Sequence, residues 1–181
     1  RMKDTLTKIL DLTRVELIRT KLEIKEVDIS SVIEDVTNQY IKTAERNGVK
    51  IIKNVKPEGL VVKTDENLFC GILNNLISNA VKFTNKGSIS VTVEFDNKNG
   101  SLLELFIKDT GVGIPAEKRS IIWDEFRQAS EGLNRKFEGT GLGLTIVKKY
   151  VEYLNGKITV ESIIGEGTTF LVSFPVEGVE I

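Results

Sequence analysis

Three short segments hold the residues whose types and spacing could do chemistry. The first is NLISNAVKFT at 75–84, in which Asn75 and Asn79 stand four apart. On a helix that spacing sets both carboxamides on one face. Asn is a poor helix former, so two on one stripe need a reason. A carboxamide oxygen can ligate Mg²⁺ without adding charge to an anionic site. Lys82 can supply a point charge to phosphate, and Phe83 offers an aromatic face to a base. The second segment, DTGVGIP at 109–115, follows the apolar run 102–107. A carboxylate at a strand end is aimed into a cleft, where Asp109 can accept a hydrogen bond from an exocyclic amine. Gly111 and Gly113 permit positive φ and close backbone approach. The third, GTGLGL at 139–144, opens an apolar-periodic helix. Gly139, Gly141 and Gly143 bring backbone N–H groups forward at an end that attracts phosphate. Each segment alone has an ordinary explanation: a polar helix face with Phe83 in the core, a turn capped by Asp109, a glycine-rich loop. In this order they point to ATP and Mg²⁺.

The stretch before the third segment, FRQASEGLNRKFEGTG, carries Arg127, Gln128, Arg135 and Lys136. A polar loop with cations beside a phosphate site reads as a lid, or as a solvated surface loop. Thr168, in GEGTTF, starts the last strand and could complete a base pocket beside Asp109 or merely end a turn. The third segment matches neither G-x-G-x-x-G in a βαβ unit nor the Lys-Ser/Thr of a P-loop.

The elements that position these residues follow from pattern. The segment 1–23 reads as a helix with Met2, Leu6, Ile9, Thr13 and Leu17 spaced 4 and 3, a seam that wants a partner helix, the alternative being an amphipathic helix packed on its own domain. A short strand is expected at 26–29, then a helix capped by Ser30 or Ser31 running to about Asn47. Strands follow at 49–55 and 60–64 around the turn 56–59. Thr64 or Asp65 caps a helix to about Thr84. Strands at 88–95 and 102–108 flank the turn 97–100. A broken helical stretch covers 115–126, and 127–140 is a long loop. A helix at 142–154 precedes a closing hairpin, 157–162 and 168–174. This alternation predicts an α+β two-layer sandwich, a mixed, mostly antiparallel sheet covered on one face by about three helices.

Composition narrows the chemistry. The chain has 181 residues, 40% of them hydrophobic, and a formal charge of −1. That fits one domain with a short appendage and carries no basic field for nucleic acid or a membrane surface. It has no histidine, which excludes histidine acid–base catalysis, Ser-His-Asp triads and imidazole-bound metals within these residues. The single cysteine, Cys70, reads as a small apolar filler of a buried helix rather than a nucleophile. No run is long and apolar enough for a transmembrane helix. The chain is expected to be cytoplasmic, from a parent that could be membrane-anchored.

Together these segments resemble the catalytic and ATP-binding domain of sensor histidine kinases, in the gyrase, Hsp90, histidine kinase and MutL superfamily (the Bergerat fold). The N box is NLISNAVKFT, the first glycine box DTGVGIP, the F box WDEFRQ and the second glycine box GTGLGL; GEGTTF also fits. The resemblance covers 25–176. Residues 1–24, with DLTRVE at 11–16, look like the end of a dimerisation and phosphoacceptor helix, and 25–181 like the catalytic domain. The resemblance implies Asn79 as Mg²⁺ ligand, with Asn75 supporting metal and phosphates. It implies Lys82 on phosphate, Phe83 in the base pocket, and Asp109 on the adenine amine with Thr168 nearby. Gly111, Gly113, Ile114, Gly139, Thr140, Gly141, Leu142, Gly143 and Leu144 would shape the pocket, and Gln128 or Arg135 would reach the γ-phosphate.

Hydrolysing members of that superfamily carry a glutamate four residues before the metal Asn, as general base for water; that position is Asn75 here. A carboxamide cannot take a proton at neutral pH. The resemblance therefore implies slow hydrolysis and transfer to an external nucleophile, a histidine on an upstream helix. The implied partners are ATP, the protein's own phosphoacceptor domain and a response regulator, with a homodimer through 1–23. An anti-sigma-type serine kinase shares the fold but lacks the leading helix. A nucleotide sensor without phosphotransfer would be expected to show damaged site residues.

Overall fold

The computed structural model describes residues 22–96, 101–124 and 141–180. The proposed helix 1–23, the turn 97–100 and the lid 127–140 thus fall outside the described residues almost entirely. In chain order the elements are β1 (Ile24–Asp28), α1 (Ile29–Arg46), β2 (Val49–Lys56), β3 (Val61–Asp65), α2 (Glu66–Phe83), β4 (Gly87–Asp96) and β5 (Leu102–Asp109). Two short 3-10 turns follow, at Ala116–Lys118 and Ile121–Trp123. The chain then forms α3 (Gly143–Tyr153), β6 (Lys157–Ile163), β7 (Gly167–Pro175) and β8 (Glu177–Glu180).

The main sheet has five strands in the order β2-β4-β5-β7-β6, with only the β2–β4 pair parallel. Its inner face follows from strand period. Ile89, Val91 and Val93 of β4, Leu103, Leu105 and Ile107 of β5, and Phe170, Val172 and Phe174 of β7 are buried, each two residues from the next. Onto this face α2 lays Leu68, Phe69, Ile72, Leu73, Leu76 and Ile77, all buried. The Phe69 ring meets Phe174 edge-on, with centroids 6.1 Å apart. Val32, Ile33 and Val36 of α1 and Val147 and Val151 of α3 complete the layer, while Ile146 packs with Leu142 in a separate small cluster. Burial of each such side chain stabilises by about 1.5–3 kcal/mol. The two-layer sandwich is as expected.

A second sheet, β1-β3-β8, was not legible from pattern. Strands β2 and β3 flank the turn at 56–59 yet belong to different sheets, because β3 pairs antiparallel with β1 and β8. The last strand, in the segment VEGVE, is short, charged and interrupted by glycine, and its sequence carries little β signal.

Capping differs at one helix. Asp28, not Ser30 or Ser31, caps α1: its carboxylate accepts from the Ser31 N–H at 3.0 Å. Ser31 thus provides a donor, and α1 starts two residues before the expected cap at Ser31. Asp65 caps α2, accepting from the Leu68 N–H at 3.1 Å. Its second oxygen accepts from the Glu23 N–H at 2.9 Å, so one buried carboxylate holds both the chain ahead of β1 and the start of α2. Cys70 is half-buried on α2 rather than enclosed, and its burial pushes the thiol upward.

Replacing Asp65 with Ala removes both acceptors at once. The expected loss is about 2–3 kcal/mol of unfolding free energy in urea titration. Asp65→Asn, which retains one acceptor oxygen, is expected to lose less.

Candidate nucleotide site

Strand period carries the polar residues inward as well as the apolar ones. Asp109 ends the row Leu103, Leu105, Ile107, and Thr168 begins the row Phe170, Val172, Phe174. The two are direct partners across β5 and β7 and are 6% and 7% exposed, so a carboxylate and a hydroxyl lie side by side at the end of the core. The Asp109 Oδ1 accepts from the Gly111 N–H at 2.8 Å, and the Thr168 backbone N–H also donates to the carboxylate. Burial pushes the carboxyl above the usual carboxylate range, and these two hydrogen bonds oppose it.

Close backbone approaches hold the junction. The Val112 N–H donates to the Phe83 carbonyl at 3.2 Å, which fastens the glycine loop to the last turn of α2. A Cβ on Gly111 would lie 2.4 Å from that carbonyl, so Gly111 is required for proximity. Positive φ, expected at both loop glycines, occurs at Gly113 and not at Gly111. At Gly167 φ is +120°, and a Cβ there would lie 1.9 Å from the Asp109 carbonyl. The contacts bring the end of α2, with Lys82 and Phe83, to the loop that follows Asp109. Lys82 Nζ sits 4.7 Å from the centroid of the Phe83 ring.

The other end of the site lies against α3. Asn75 and Asn79 are both half-buried on α2. Asn75 Nδ2 donates to the Gly71 carbonyl at 2.9 Å, and its Oδ1 lies 3.1 Å from where a Cβ of Gly143 would stand. The N box thus packs on the opening of α3. That helix begins with no side-chain cap, Leu142 is fully buried, and Leu144 is half-buried beside the core. Gly141 takes φ +71° just before it. Thr145 Oγ1 donates to the Trp123 carbonyl at 3.1 Å, docking the F-box tryptophan on α3. Gln128, Arg135, Gly139 and Thr140 fall outside the described residues.

Two residues were missed by sequence reasoning. Ser162 is buried; its Oγ accepts from the Ile114 N–H at 2.7 Å, donates to the Gly167 carbonyl at 2.9 Å and lies 2.9 Å from Thr168 Oγ1. Arg119 Nη2 donates to the Ser162 carbonyl. The signal for Ser162 is its register opposite Thr168, which only strand pairing reveals.

Among the described residues no three acidic or cysteine side chains converge on a common point. The neutral oxygens of the Asn75–Asn79 face suit a hard cation that arrives with an anionic ligand supplying the remaining oxygens. An inward carboxylate, a glycine-lined loop and an uncapped helix start suit the base and phosphate ends of a nucleotide.

Residues 64–178 match the model of the "Histidine kinase-, DNA gyrase B-, and HSP90-like ATPase" family. The chain belongs to this family. It is 34% identical over 173 residues to the sensor histidine kinase RcsC of Escherichia coli K12, covering 95% of this chain and 18% of that protein. It is 37% identical over 176 residues to the autoinducer 2 sensor kinase/phosphatase LuxQ of Vibrio vulnificus, covering 95% of this chain and 20% of that protein. The chain therefore spans about a fifth of the length of these relatives. Full-length ShkA, solved in complex with AMPPNP, superposes with a TM-score of 0.83 at 27% identity over 95% of this chain and 35% of that one. The mycobacterial sensor histidine kinase MprB superposes at 0.71 and 25% identity over 84% and 97%. The domain is thus the ATP-binding catalytic type of sensor histidine kinases.

Because burial raises the Asp109 carboxyl, the folded chain holds that proton more tightly than the unfolded chain. Its contribution to stability is highest below the ordinary carboxylate pKa and falls as pH rises from there through the raised folded value. Asp109→Asn removes this titration. Urea titrations across that window are expected to show the variant gaining on the native chain as pH rises, with a constant difference above it.

Proposed function

We propose that this chain binds Mg-ATP and donates the γ-phosphate to a histidine on a dimerisation domain, within a two-component sensor kinase. The reading rests above all on Asp109, a buried carboxylate fixed by two N–H donors at the end of the inner strand row. In this reading its remaining acceptor capacity takes the adenine amine, with Thr168 beside it. Asn79 ligates Mg²⁺ and Asn75 supports metal and phosphates. Lys82 and the opening of α3 stabilise phosphate charge, and Gln128 or Arg135 of the loop reaches the γ-phosphate.

Transfer in this reading rests on positioning and electrostatics rather than on covalent chemistry by this domain. An imidazole nitrogen outside this chain forms the new P–N bond as the bond from the γ-phosphorus to the bridging oxygen breaks, and ADP leaves. Asn75 stands where a water-activating carboxylate would be needed, so water is a poor competitor. The division into a helix end at 1–24 and a catalytic domain at 25–181 belongs to the same proposal. So do a response regulator as downstream partner, dimerisation through 1–23, and a cytoplasmic site in a membrane-anchored parent. Among the described residues no helix is long and apolar enough to cross a membrane.

Titration calorimetry is expected to show Mg-dependent ATP binding. Asp109→Asn is expected to weaken it about 10- to 100-fold, the loss of a charge-assisted hydrogen bond; unchanged affinity would refute the adenine assignment. Mixed with ATP labelled at the γ-position and a separate histidine-bearing dimerisation domain, the chain is expected to label that domain. Asn79→Ala is expected to abolish labelling and the Mg²⁺ dependence of binding.

A further inference from the structure

The hydrogen-bond network behind Thr168 has a direction, and proton counting fixes it. A serine hydroxyl has one proton and two acceptor lone pairs. Ser162 Oγ faces three partners: the Ile114 N–H at 2.7 Å, the Gly167 carbonyl at 2.9 Å and Thr168 Oγ1 at 2.9 Å. The Ile114 N–H can only donate and the Gly167 carbonyl can only accept. Ser162 therefore gives its proton to Gly167, and the Thr168 hydroxyl must donate in the contact between them. With Ile114 and Thr168 donating and Gly167 accepting, Ser162 is saturated. Ser162 is 5% exposed, and Arg119 Nη2 holds its carbonyl from behind, so water does not readily substitute.

Thr168 thus spends its only proton away from its neighbour Asp109 and presents lone pairs there. When ionised, the Asp109 carboxylate is likewise acceptor-only, and its bonds from the Gly111 and Thr168 N–H groups leave further lone pairs. Two adjacent oxygens, both without a proton to give, form the polar end of the base pocket. A 6-amino purine meets this end with a donor; a 6-oxo purine meets it with an acceptor.

We infer that Ser162 is a specificity-determining positioning residue: by taking the Thr168 proton it keeps the base pocket acceptor-only, so that 6-amino purine nucleotides are selected over 6-oxo ones. The inference rests on the ATP reading and adds a second element to base choice, in a residue that need not touch the nucleotide. Sites built to match one hydrogen-bond polarity reject the opposite polarity because groups are left buried and unpaired.

The test compares ATP with inosine triphosphate, which differs from it in the 6-substituent and the N1 proton. Calorimetry with Mg²⁺ gives a preference ratio for the native chain and for Ser162→Ala, in which the Thr168 hydroxyl is free to turn and donate. The expected result is a fall in the ATP-over-ITP ratio of about three- to tenfold, with ATP still bound. A purely structural Ser162 would weaken both nucleotides alike, and an unchanged ratio overturns the inference. Should Ser162→Ala not fold by circular dichroism, Thr168→Val decides: removing the acceptor must lower the same ratio, and an unchanged ratio is a refutation. In the Thr168→Val background Ser162→Ala must have no further effect on the ratio. If the native chain binds neither nucleotide, the ATP reading itself has failed, which is a separate outcome from a native chain that prefers ATP and a variant that keeps the preference.

Discussion

The structure depends on one crowded junction, where the end of β5 meets the start of β7 and the last turn of α2. A buried carboxylate sits there between an apolar row and a glycine loop, in a place where an uncompensated charge would be expensive. Two backbone N–H groups make it tolerable, those of Gly111 and of Thr168, and a glycine at 111 and another at 167 permit the close backbone approaches beside them. At Gly167 the Asp109 carbonyl occupies the space a Cβ would need. At Gly111 the Phe83 carbonyl does. These two glycines are thus packing requirements of a charged site as much as turn formers. Backbone packed close against backbone thus closes one side of a site whose other side is the apolar row.

Much of this was legible in the sequence because two periodicities speak plainly. The alternation over 88–95 and the apolar run 102–107 marked strands, and the structure shows that period two also carries Asp109 inward. The i, i+4 relation of Asn75 and Asn79 gave a helix face before any helix was seen. What escaped was everything set by register between distant strands. Ser162 reads as an ordinary polar residue in a mostly exposed strand until β6 is laid beside β7 and Thr168 becomes its partner. The small sheet escaped for the same reason, since β1 and β8 are short and β8 has glycine where a strand former would be expected. The cap of α1 was misplaced because Ser and Asp both cap, and sequence alone does not say which lends oxygen and which lends an N–H.

Asn75 serves two elements. Its amide donates within α2, and its oxygen packs beside Gly143, so the Asn75–Asn79 face and the opening of α3 are held in fixed relation without a charge between them. A carboxylate at that place would bring negative charge to the opening of α3, where it would compete with phosphate for the same positive end. The neutral amide leaves that end open to an anion. On the proposed function, suppression of water activation and retention of phosphate affinity would be two results of a single choice of side chain.

Asp65 grips the backbone at Glu23 with one oxygen and the first turn of α2 with the other. The 18 residues of α2 make a rod of roughly 27 Å, with this grip at one end and Lys82 and Phe83 at the other. A rod held at both ends ties the backbone at Glu23 to the loop after Asp109 through one continuous helix, because the Val112 N–H fastens that loop to the Phe83 carbonyl.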